Sequence, residues 1–285
     1  MEDKAALDAN LATYSNLGER QYVNGAPHLK HASIGSIHRA LVLDAIHAVG
    51  RDPDQIEVLD LGAGNGLASI PWFEQGVRLT AVDSSEPMIE ELRSRASHFR
   101  SRPRTIVADV LNYMISTPET FDVITHVSML HHVPDYLELL RHSAAHVREG
   151  GSLLTFQDPL RYDQMPAHHR LVDRGSYFAW RLGQGNYKRG LKTRWRRIRG
   201  VYSPDETVDF DEYHVVRKGV DSQAIAGQLG PDFAEVKVIH YWSTYSAPLQ
   251  WLGERAGLAS SFGILATGRK PVAQEEVIAM PAEAE

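Results

Sequence analysis

The ten residues Glu57–Gly66 read EVLDLGAGNG and decide the fold of this chain. An apolar run, Ile56–Leu61, ends in glycines at every second position, and a second apolar run, Leu79–Val82, is followed by Asp83. The order strand, glycine turn, helix, strand, acid is typical of a nucleoside-binding βαβ unit. Glycine reaches backbone angles that other residues avoid, and without a Cβ it lets a ligand lie against the main chain. A carboxylate at position 83 can accept hydrogen bonds from two ribose hydroxyls.

The spacing of the glycines indicates which ligand the turn serves. A dinucleotide fingerprint, G-x-G-x-x-G, would need a glycine where this chain has Leu67. The observed pattern is an acid, Asp60, followed by G-x-G-x-G over residues 62–66. With this pattern the chain resembles the class I S-adenosylmethionine-dependent methyltransferases. The resemblance implies that the turn passes under the methionine part of the cofactor and that Asp60 helps to fix the turn and the cofactor's amino group.

A third acid, Asp109, follows the third predicted strand, Arg104–Ala108. Taken alone, Asp109 is equally well explained as the cap of the next helix. Because it comes in register after Asp60 and Asp83, the resemblance implies that it accepts from the exocyclic amine of adenine. The cofactor-binding residues expected for S-adenosylmethionine are Asp60, Gly62, Ala63, Gly64, Gly66, Asp83, Ser84, Met88, Asp109, Val110, Val127 and Tyr22.

Residues 121–133 read FDVITHVSMLHHV and predict a fourth strand, Phe121–Val127, with its exit over residues 128–133. Ligands of open α/β sheets lie outside the carboxyl ends of the strands, so this exit faces the reactive methyl group. The histidine pair is similar to the small-molecule branch of the family, whereas the Asn/Asp-Pro-Pro-Tyr signature of base N6-methylating enzymes is missing. Two roles are open for the pair, packing or capping beside the adenine, and general base catalysis. The catalytic candidates are His132, Asp158 at the exit of the fifth strand, and His131.

Alternating helical and strand patterns predict the rest of the domain. The fold class is α/β, a doubly wound Rossmann-like seven-stranded methyltransferase sheet whose final strand is antiparallel, with an N-terminal helical lid and an insertion after strand 5. Residues 1–50 are the lid, residues 51–270 the methyltransferase domain, and residues 271–285 a Pro-, Ala- and Glu-rich tail expected to be disordered. The predicted helices are 7–17, 34–49, 67–75, 87–99, 134–147, 222–229 and 247–259, and the predicted strands are 56–61, 79–82, 104–108, 121–127, 152–156, 235–242 and 262–268. Gly150 is predicted to cap the helix 134–147.

Two segments outside the minimal fold are candidates for the acceptor pocket. Residues 22–31 form a turn-rich stretch that is either a surface connection or part of a lid that closes over the cofactor. Residues 160–218 are rich in aromatic and basic side chains, and we expect them to build the substrate-binding insertion. The substrate-binding candidates are His28, His31, Tyr177, Trp180, Tyr213 and His214.

A basic run within this insertion, residues 188–199, suggests an alternative. Seven Lys and Arg residues with Trp195 among them and no acid could form an RNA-binding patch. Five acids follow immediately over residues 205–212, and we interpret the two segments as neutralising each other. The pair His168-His169 lacks a nearby third ligand, so no metal site is predicted.

Bulk properties narrow the class of protein. The chain has 285 residues, 43% hydrophobic and 23% charged, which is usual for a soluble globular protein. A net charge of −6 points to neither nucleic acid nor an anionic membrane surface. The absence of cysteine excludes disulfides, thiolate metal sites and a cysteine nucleophile. No apolar run is long enough to span a bilayer and no signal peptide precedes the core, so a cytoplasmic location is expected.

The predicted function is methyl transfer from S-adenosylmethionine to an oxygen or nitrogen of a small-molecule acceptor made in secondary metabolism, with a homodimer left open. The alternatives are a nucleic-acid (RNA) methyltransferase that uses residues 188–199, and a non-catalytic cofactor-binding module that regulates a partner. Aminopropyl transfer is disfavoured because no acid-rich amine site follows the strand exits.

Overall fold

The computed structural model describes residue 23, residues 25–183 and residues 219–271, with the backbone alone over residues 177–183. Tyr22, the predicted helix 7–17, residues 184–218 of the insertion and the tail beyond residue 271 lie outside this described part. The basic run, Tyr213 and His214 are therefore also outside it.

Seven strands in the described part of the chain form one sheet. They are β1 (Glu57–Leu61), β2 (Arg78–Asp83), β3 (Arg104–Val107), β4 (Phe121–Val127), β5 (Val147–Pro159), β6 (Phe233–Tyr241) and β7 (Ser261–Arg269). Their order in the sheet is β3-β2-β1-β4-β5-β7-β6. Strand β7 runs antiparallel to β5 and β6, and the other neighbours are parallel. The predicted seven-stranded sheet with an antiparallel final strand is confirmed.

Helices cover both faces of the sheet, as expected for a doubly wound fold. The helices are α1 (Pro27–Lys30), α2 (Ala32–Val49), α3 (Ile70–Gln75), α4 (Glu86–Ala96), α5 (Val110–Ser116), α6 (Tyr136–His146), α7 (Ala167–Gly183), α8 (Ser222–Leu229) and α9 (Ala247–Arg255). Buried residues of α2, α3 and α4 pack on one face of the sheet. Buried residues of α5, α6 and α8 pack on the other face. None of the described helices is long and apolar enough to cross a membrane.

Strand β4 lies at the centre of the sheet, and every one of its residues is buried. Its polar residues Asp122, Thr125 and His126 are buried among apolar ones, and its bounds agree with the prediction to the residue. Helix α6 follows and is capped by Asp135, whose side chain accepts from the backbone N–H of Glu138.

The glycine turn is longer than predicted, because α3 begins at Ile70 and not at residue 67. Gly62, Gly64 and Gly66 all have positive φ, between 53° and 80°. The chain then makes a further hydrogen-bonded turn from Gly66 to Ser69 before the helix starts. Left-handed backbone at alternate positions cannot belong to a right-handed helix, so the helix has to wait until the turn is complete.

The predicted cap at Gly150 is wrong. Helix α6 ends at His146, and Val147 is already extended and begins β5. Gly150 has a φ of 75°, but it lies within β5, near a register shift between β4 and β5. A Cβ added at the neighbouring Gly151 would lie 2.5 Å from the carbonyl oxygen of Asp122. Gly151 therefore serves the close approach of β5 to β4, and Gly150 supplies left-handed backbone within the strand, so neither glycine ends a helix.

The stretch before α2 is not a surface connection. Pro27–Lys30 forms the single helical turn α1, and His28 and His31 are 7% and 8% exposed. Helix α2 runs antiparallel to the direction of β5, since Ala45 lies near Ser152 and His38 stacks on Phe156. The beginning of α2 therefore lies beside the carboxyl ends of the strands, where ligands bind in this fold.

Candidate functional site

The glycine turn connects β1 to the exits of the neighbouring strands. The backbone N–H groups of Gly62 and Ala63 both donate to the carbonyl oxygen of Val82, at 2.8 and 3.2 Å. A Cβ added at Gly62 would collide with the side chain of Met129, just beyond β4. The turn is therefore packed between β2 and the β4 exit, in a position that a larger residue could not occupy.

Asp83 lies at the end of β2 and is fixed by backbone donors. Its Oδ2 accepts from the N–H of Gly64 at 2.8 Å, and its Oδ1 accepts from the N–H of Ser85 at 2.9 Å. Burial raises the pKa of this carboxyl, and the backbone hydrogen bonds act in the opposite direction. Asp83 and Ser84 are partly exposed, whereas Met88 is buried in α4 behind them. The carboxylate is thus held beside the glycine turn, and its predicted contact with ribose stays a prediction.

Asp60 lies under the turn and is 2% exposed. Its Oδ2 accepts from the hydroxyl of Ser69 at 2.6 Å. Burial raises the pKa of Asp60 to about 7, and the negative charge of Asp83 adds to the effect. Ser69 itself is completely buried and was not expected from the sequence. Ser69 follows Asp60 by nine residues, and the two side chains meet only because the folded turn brings the chain back over β1.

Asp109 is the N-cap of α5, the role that the sequence had left as an alternative. Its Oδ1 accepts from the backbone N–H of Asn112 at 2.9 Å. Ala108 donates its N–H to the carbonyl oxygen of Asp83, so the exits of β2 and β3 are adjacent. A carboxylate has lone pairs for further donors after one cap bond, and Asp109 and Val110 are partly exposed. The predicted contact with adenine therefore stays a prediction that is compatible with the cap.

The exits of β4 and β5 carry unusual backbone. Ser128 and Gln157, with φ of 54° and 68°, are the two non-glycine residues with positive φ in the described part of the chain. The N–H of Ser128 donates to the carbonyl oxygen of Phe156 at 2.7 Å and ties the two exits together. Val127, the last residue of β4, is 6% exposed. Left-handed backbone at non-glycine residues is costly and is concentrated at functional sites.

His131 and Asp158 meet at this edge of the sheet. The Nδ1 of His131 lies 2.8 Å from Oδ1 of Asp158, and the same oxygen accepts the backbone N–H of His131 at 3.1 Å. Asp158 is completely buried, whereas the His131 side chain is 11% exposed. His132 lies next to it, with the two ring centroids 4.0 Å apart. Of these three catalytic candidates, Asp158 is covered from solvent and contacts His131, which is the more exposed of the two.

The N-terminal histidines lie along the β5 side. The Nε2 of His31 is 2.7 Å from the carbonyl oxygen of Thr244, in the loop after β6. Burial lowers the pKa of His28 to about 4. His38, which was not predicted, stacks on Phe156 with ring centroids 4.9 Å apart, and burial lowers its pKa to about 3. His28 and His38 are therefore neutral at pH 7, and their contact with an acceptor stays a prediction.

Two further substrate-binding candidates, Tyr177 and Trp180, lie on α7, of which the backbone is described at these positions. Helix α7 packs near the loop after β6, since Ser176 contacts Thr244, and near the segment before β7, since His169 accepts from the N–H of Ala259. Among the residues that the structure describes, no three His, Asp or Glu side chains are grouped as metal ligands.

A family model described as the methyltransferase domain matches residues 35–203, more than half of the chain. The chain belongs to this methyltransferase family. The resemblance drawn from the glycine turn and the acids that follow it is confirmed. The match begins within α2 and continues into the insertion, so it includes the strand exits described above.

Curated relatives of the methyltransferase match part of it. The ubiquinone biosynthesis O-methyltransferase of Xanthomonas campestris is 31% identical over 138 residues, which is 47% of this chain and 56% of that protein. The protein of the same name from Vibrio parahaemolyticus is 32% identical over 95 residues, 33% of this chain and 40% of that protein. The chain spans about half the length of the curated relatives it matches.

Solved methyltransferase structures match over most of the chain at low identity. The N-methyltransferase NodS from Bradyrhizobium japonicum, in complex with S-adenosyl-L-homocysteine, has a TM-score of 0.52 at 16% identity, covering 92% of this chain and 97% of that one. The magnesium protoporphyrin IX methyltransferase from Synechocystis, with the same molecule bound, has a TM-score of 0.53 at 16% identity, covering 90% of each. At such identities the likeness shows the shared fold.

Proposed function

We propose that this methyltransferase transfers a methyl group from S-adenosylmethionine to a hydroxyl oxygen of a small-molecule acceptor, with a nitrogen acceptor as the second choice. The observation that carries the proposal is the His131–Asp158 pair at the β4 and β5 exits, next to a turn built of glycines. The family membership and the name of the O-methyltransferase relatives support it.

The residues at the site fit S-adenosylmethionine. Asp83 presents a partly exposed carboxylate at the end of β2, which suits a pair of ribose hydroxyls. The glycine turn keeps backbone free of side chains at the end of β1, which suits the methionine part. When bound, the cofactor supplies an activated methyl group on a sulfonium. Holding an acceptor in line with it can lower the barrier by roughly 7–11 kcal/mol.

The protein's own contribution to chemistry is the removal of a proton. When Asp158 is ionised, Nδ1 of His131 carries the hydrogen that donates to it, and Nε2 presents its lone pair. A hydroxyl that attacks the methyl group gives its proton to this Nε2, and buried Asp158 stabilises the resulting imidazolium. Hydroxyls are weak nucleophiles while protonated, so a histidine base supported by a carboxylate suits an oxygen acceptor better than a free amine.

Asp158 acts in this scheme as a positioning residue, and His131 as the general base. His132 packs against His131 and can contact the acceptor from the same 3-10 turn. The origin of the acceptor in secondary metabolism is part of the proposal and rests on the aromatic composition of the insertion.

The test uses the full chain, S-adenosylmethionine and a panel of phenols, alcohols and amines, with formation of S-adenosylhomocysteine as the readout. We expect turnover of a hydroxyl acceptor, and His131→Ala and Asp158→Asn each to lower kcat/KM by about 10²–10⁴-fold and to flatten its pH profile. The exposed His47 of α2 provides a control, and His47→Ala should change neither. Tight cofactor binding without product from any acceptor would instead indicate a regulatory module.

A further inference from the structure

Strand β5 changes the face of the sheet to which its side chains point, just before Asp158. In a regular strand, residues two apart share a face, so Phe156 and Asp158 would point to the same side. Phe156 packs on the α2 side, against His38 and Tyr241. Asp158 instead pairs with Phe262, which belongs to the core on the opposite face, and contacts His131.

Gln157 causes this change. Phe156 pairs with Gly263 of strand β7, and Asp158 pairs with the neighbouring residue, Phe262. Gln157 is therefore an extra residue in β5 that has no partner of its own in β7. This is a β-bulge, and its φ of 68° is left-handed. Bulges next to active sites serve to re-aim a side chain. Without the bulge, alternation would turn Asp158 away from His131.

A buried polar network holds Gln157 in this conformation. Its Nε2 donates to the hydroxyl of Ser243 at 2.7 Å, and its Oε1 accepts from the hydroxyl of Tyr241 at 3.1 Å. Ser243 is in turn anchored through its backbone to the hydroxyl of Ser260, with two hydrogen bonds of 3.0 and 2.9 Å. All four side chains are buried, with exposures between 4% and 9%.

Left-handed backbone is costly for a residue other than glycine and persists where its surroundings impose it. Both polar ends of the Gln157 side chain are satisfied by the network, so rotation of the backbone to the ordinary extended region would leave buried donors and acceptors without partners. Leaving such groups unsatisfied is also costly, which offsets the strain.

We infer that Gln157, held by Tyr241 and Ser243, is a positioning residue for the His131–Asp158 pair. The inference rests on the proposed function, because it assigns Gln157 to the support of the proposed base. The effect of Gln157 on the contact between His131 and Asp158 can also be tested without measuring turnover. The network lies outside the residues expected to touch cofactor or acceptor.

The test compares two substitutions at Gln157. A β-branched residue is strongly disfavoured in left-handed backbone, so Gln157→Val should remove the bulge, whereas Gln157→Gly keeps this conformation accessible. We expect Gln157→Val to lower kcat by about 100-fold with KM and cofactor affinity nearly unchanged, and Gln157→Gly to lower it less. Tyr241→Phe, which removes one hydroxyl and keeps the ring, should shift kcat in the same direction by a smaller factor.

The decisive readout is the 15N chemical shift of the His131 ring, measured on the protein without acceptor. The wild-type signal should report a proton on Nδ1, and it should move in Gln157→Val and in Tyr241→Phe. Tyr113→Phe, a matched change on α5 where the hydroxyl contacts Glu119, should leave it unchanged. An unchanged His131 signal in Tyr241→Phe and in folded Gln157→Val overturns the inference. Failure of the wild type to methylate any acceptor refutes the proposed function instead.

Discussion

The hydroxyl of Ser69 lies 2.6 Å from Oδ2 of Asp60, and both side chains are buried beneath the glycine turn. This hydrogen bond favours the ionised carboxylate, but burial outweighs it and raises the pKa of Asp60 from 3.8 to about 7. The folded protein therefore holds a proton on Asp60 at pH values where the unfolded chain has released it.

The stability of the protein should depend on pH through Asp60. Between pH 3.8 and about 7 the folded state binds one more proton than the unfolded state at this site, so its contribution to the free energy of unfolding decreases as pH rises. The contribution is fully present below pH 3.8 and is lost above about 7, and it amounts to up to about 4 kcal/mol. Asp60→Asn should remove this dependence. Urea unfolding of both proteins at about pH 5 and about pH 8 measures it. If the difference in the free energy of unfolding between wild type and Asp60→Asn were the same at both pH values, the assigned pKa would be contradicted.

Gly62→Ala should disrupt the turn through two separate effects. The new Cβ occupies left-handed backbone and collides with the side chain of Met129. Gly76 provides a matched control, because it has a similar φ of 75° and a Cβ there meets nothing within 4 Å. We expect Gly76→Ala to cost about 1 kcal/mol of stability, from backbone strain alone, and Gly62→Ala to cost several times more.

A second substitution separates the collision from the strain at Gly62. Adding Met129→Ala to Gly62→Ala should recover part of the lost stability, which a double-mutant cycle in urea unfolding quantifies. Additive effects of the two substitutions would show that the Met129 contact is not what requires glycine at position 62.

Asp83→Ala should weaken the binding of S-adenosylmethionine. Two hydrogen bonds from ribose to a carboxylate are each worth roughly 1.5–3 kcal/mol, so the dissociation constant should rise by at least about 100-fold. Isothermal calorimetry on the full chain measures the change, with circular dichroism to show that the fold is retained. An unaltered affinity would mean that the ribose contact is made elsewhere.

Asp109→Ser separates the two roles considered for this acid. Serine is as good an N-cap as aspartate, so the stability of the variant should be close to that of the wild type. If Asp109 also recognises adenine, the affinity for S-adenosylmethionine should decrease by about tenfold, because the shorter hydroxyl offers no carboxylate to the amine. Asp135 caps α6 with the same kind of side-chain hydrogen bond, to the N–H three residues on, and Asp135→Ser should change neither property. Equal cofactor affinities for the two variants would leave Asp109 with the cap alone.

Much of the fold follows from local patterns that the sequence displays directly. The bounds of β4 and α8 agree with the prediction to the residue, and α8 is flanked by Asp221, which caps its first turn, and by Gly230. The helix after the glycine turn and the end of α6 were misplaced. The sequence pattern does not show the left-handed backbone at Gly62, Gly64 and Gly66, nor the close approach of Gly151 to the carbonyl oxygen of Asp122.

The candidate site was predicted unevenly. The parallel sheet brings to one edge the residues at or just after the carboxyl ends of its strands, which include Asp60, Asp83, Asp109 and the histidine pair. Ser69 and His38 could not be identified in the same way. Their importance comes from the partners they meet, Asp60 and Phe156, and these contacts join segments whose approach depends on how helices pack on the sheet.

The sequence by itself determined the family, the order of the elements and the edge of the sheet at which the candidate site lies, because glycine spacing and apolar runs act locally. Only the tertiary structure decided which side of the sheet Asp158 faces. Counting along β5 places this acid on the same side as Phe156, and the bulge at Gln157 turns it to His131. That bulge is held by Tyr241 and Ser243, which lie more than 80 residues away along the chain, so no local pattern could predict it.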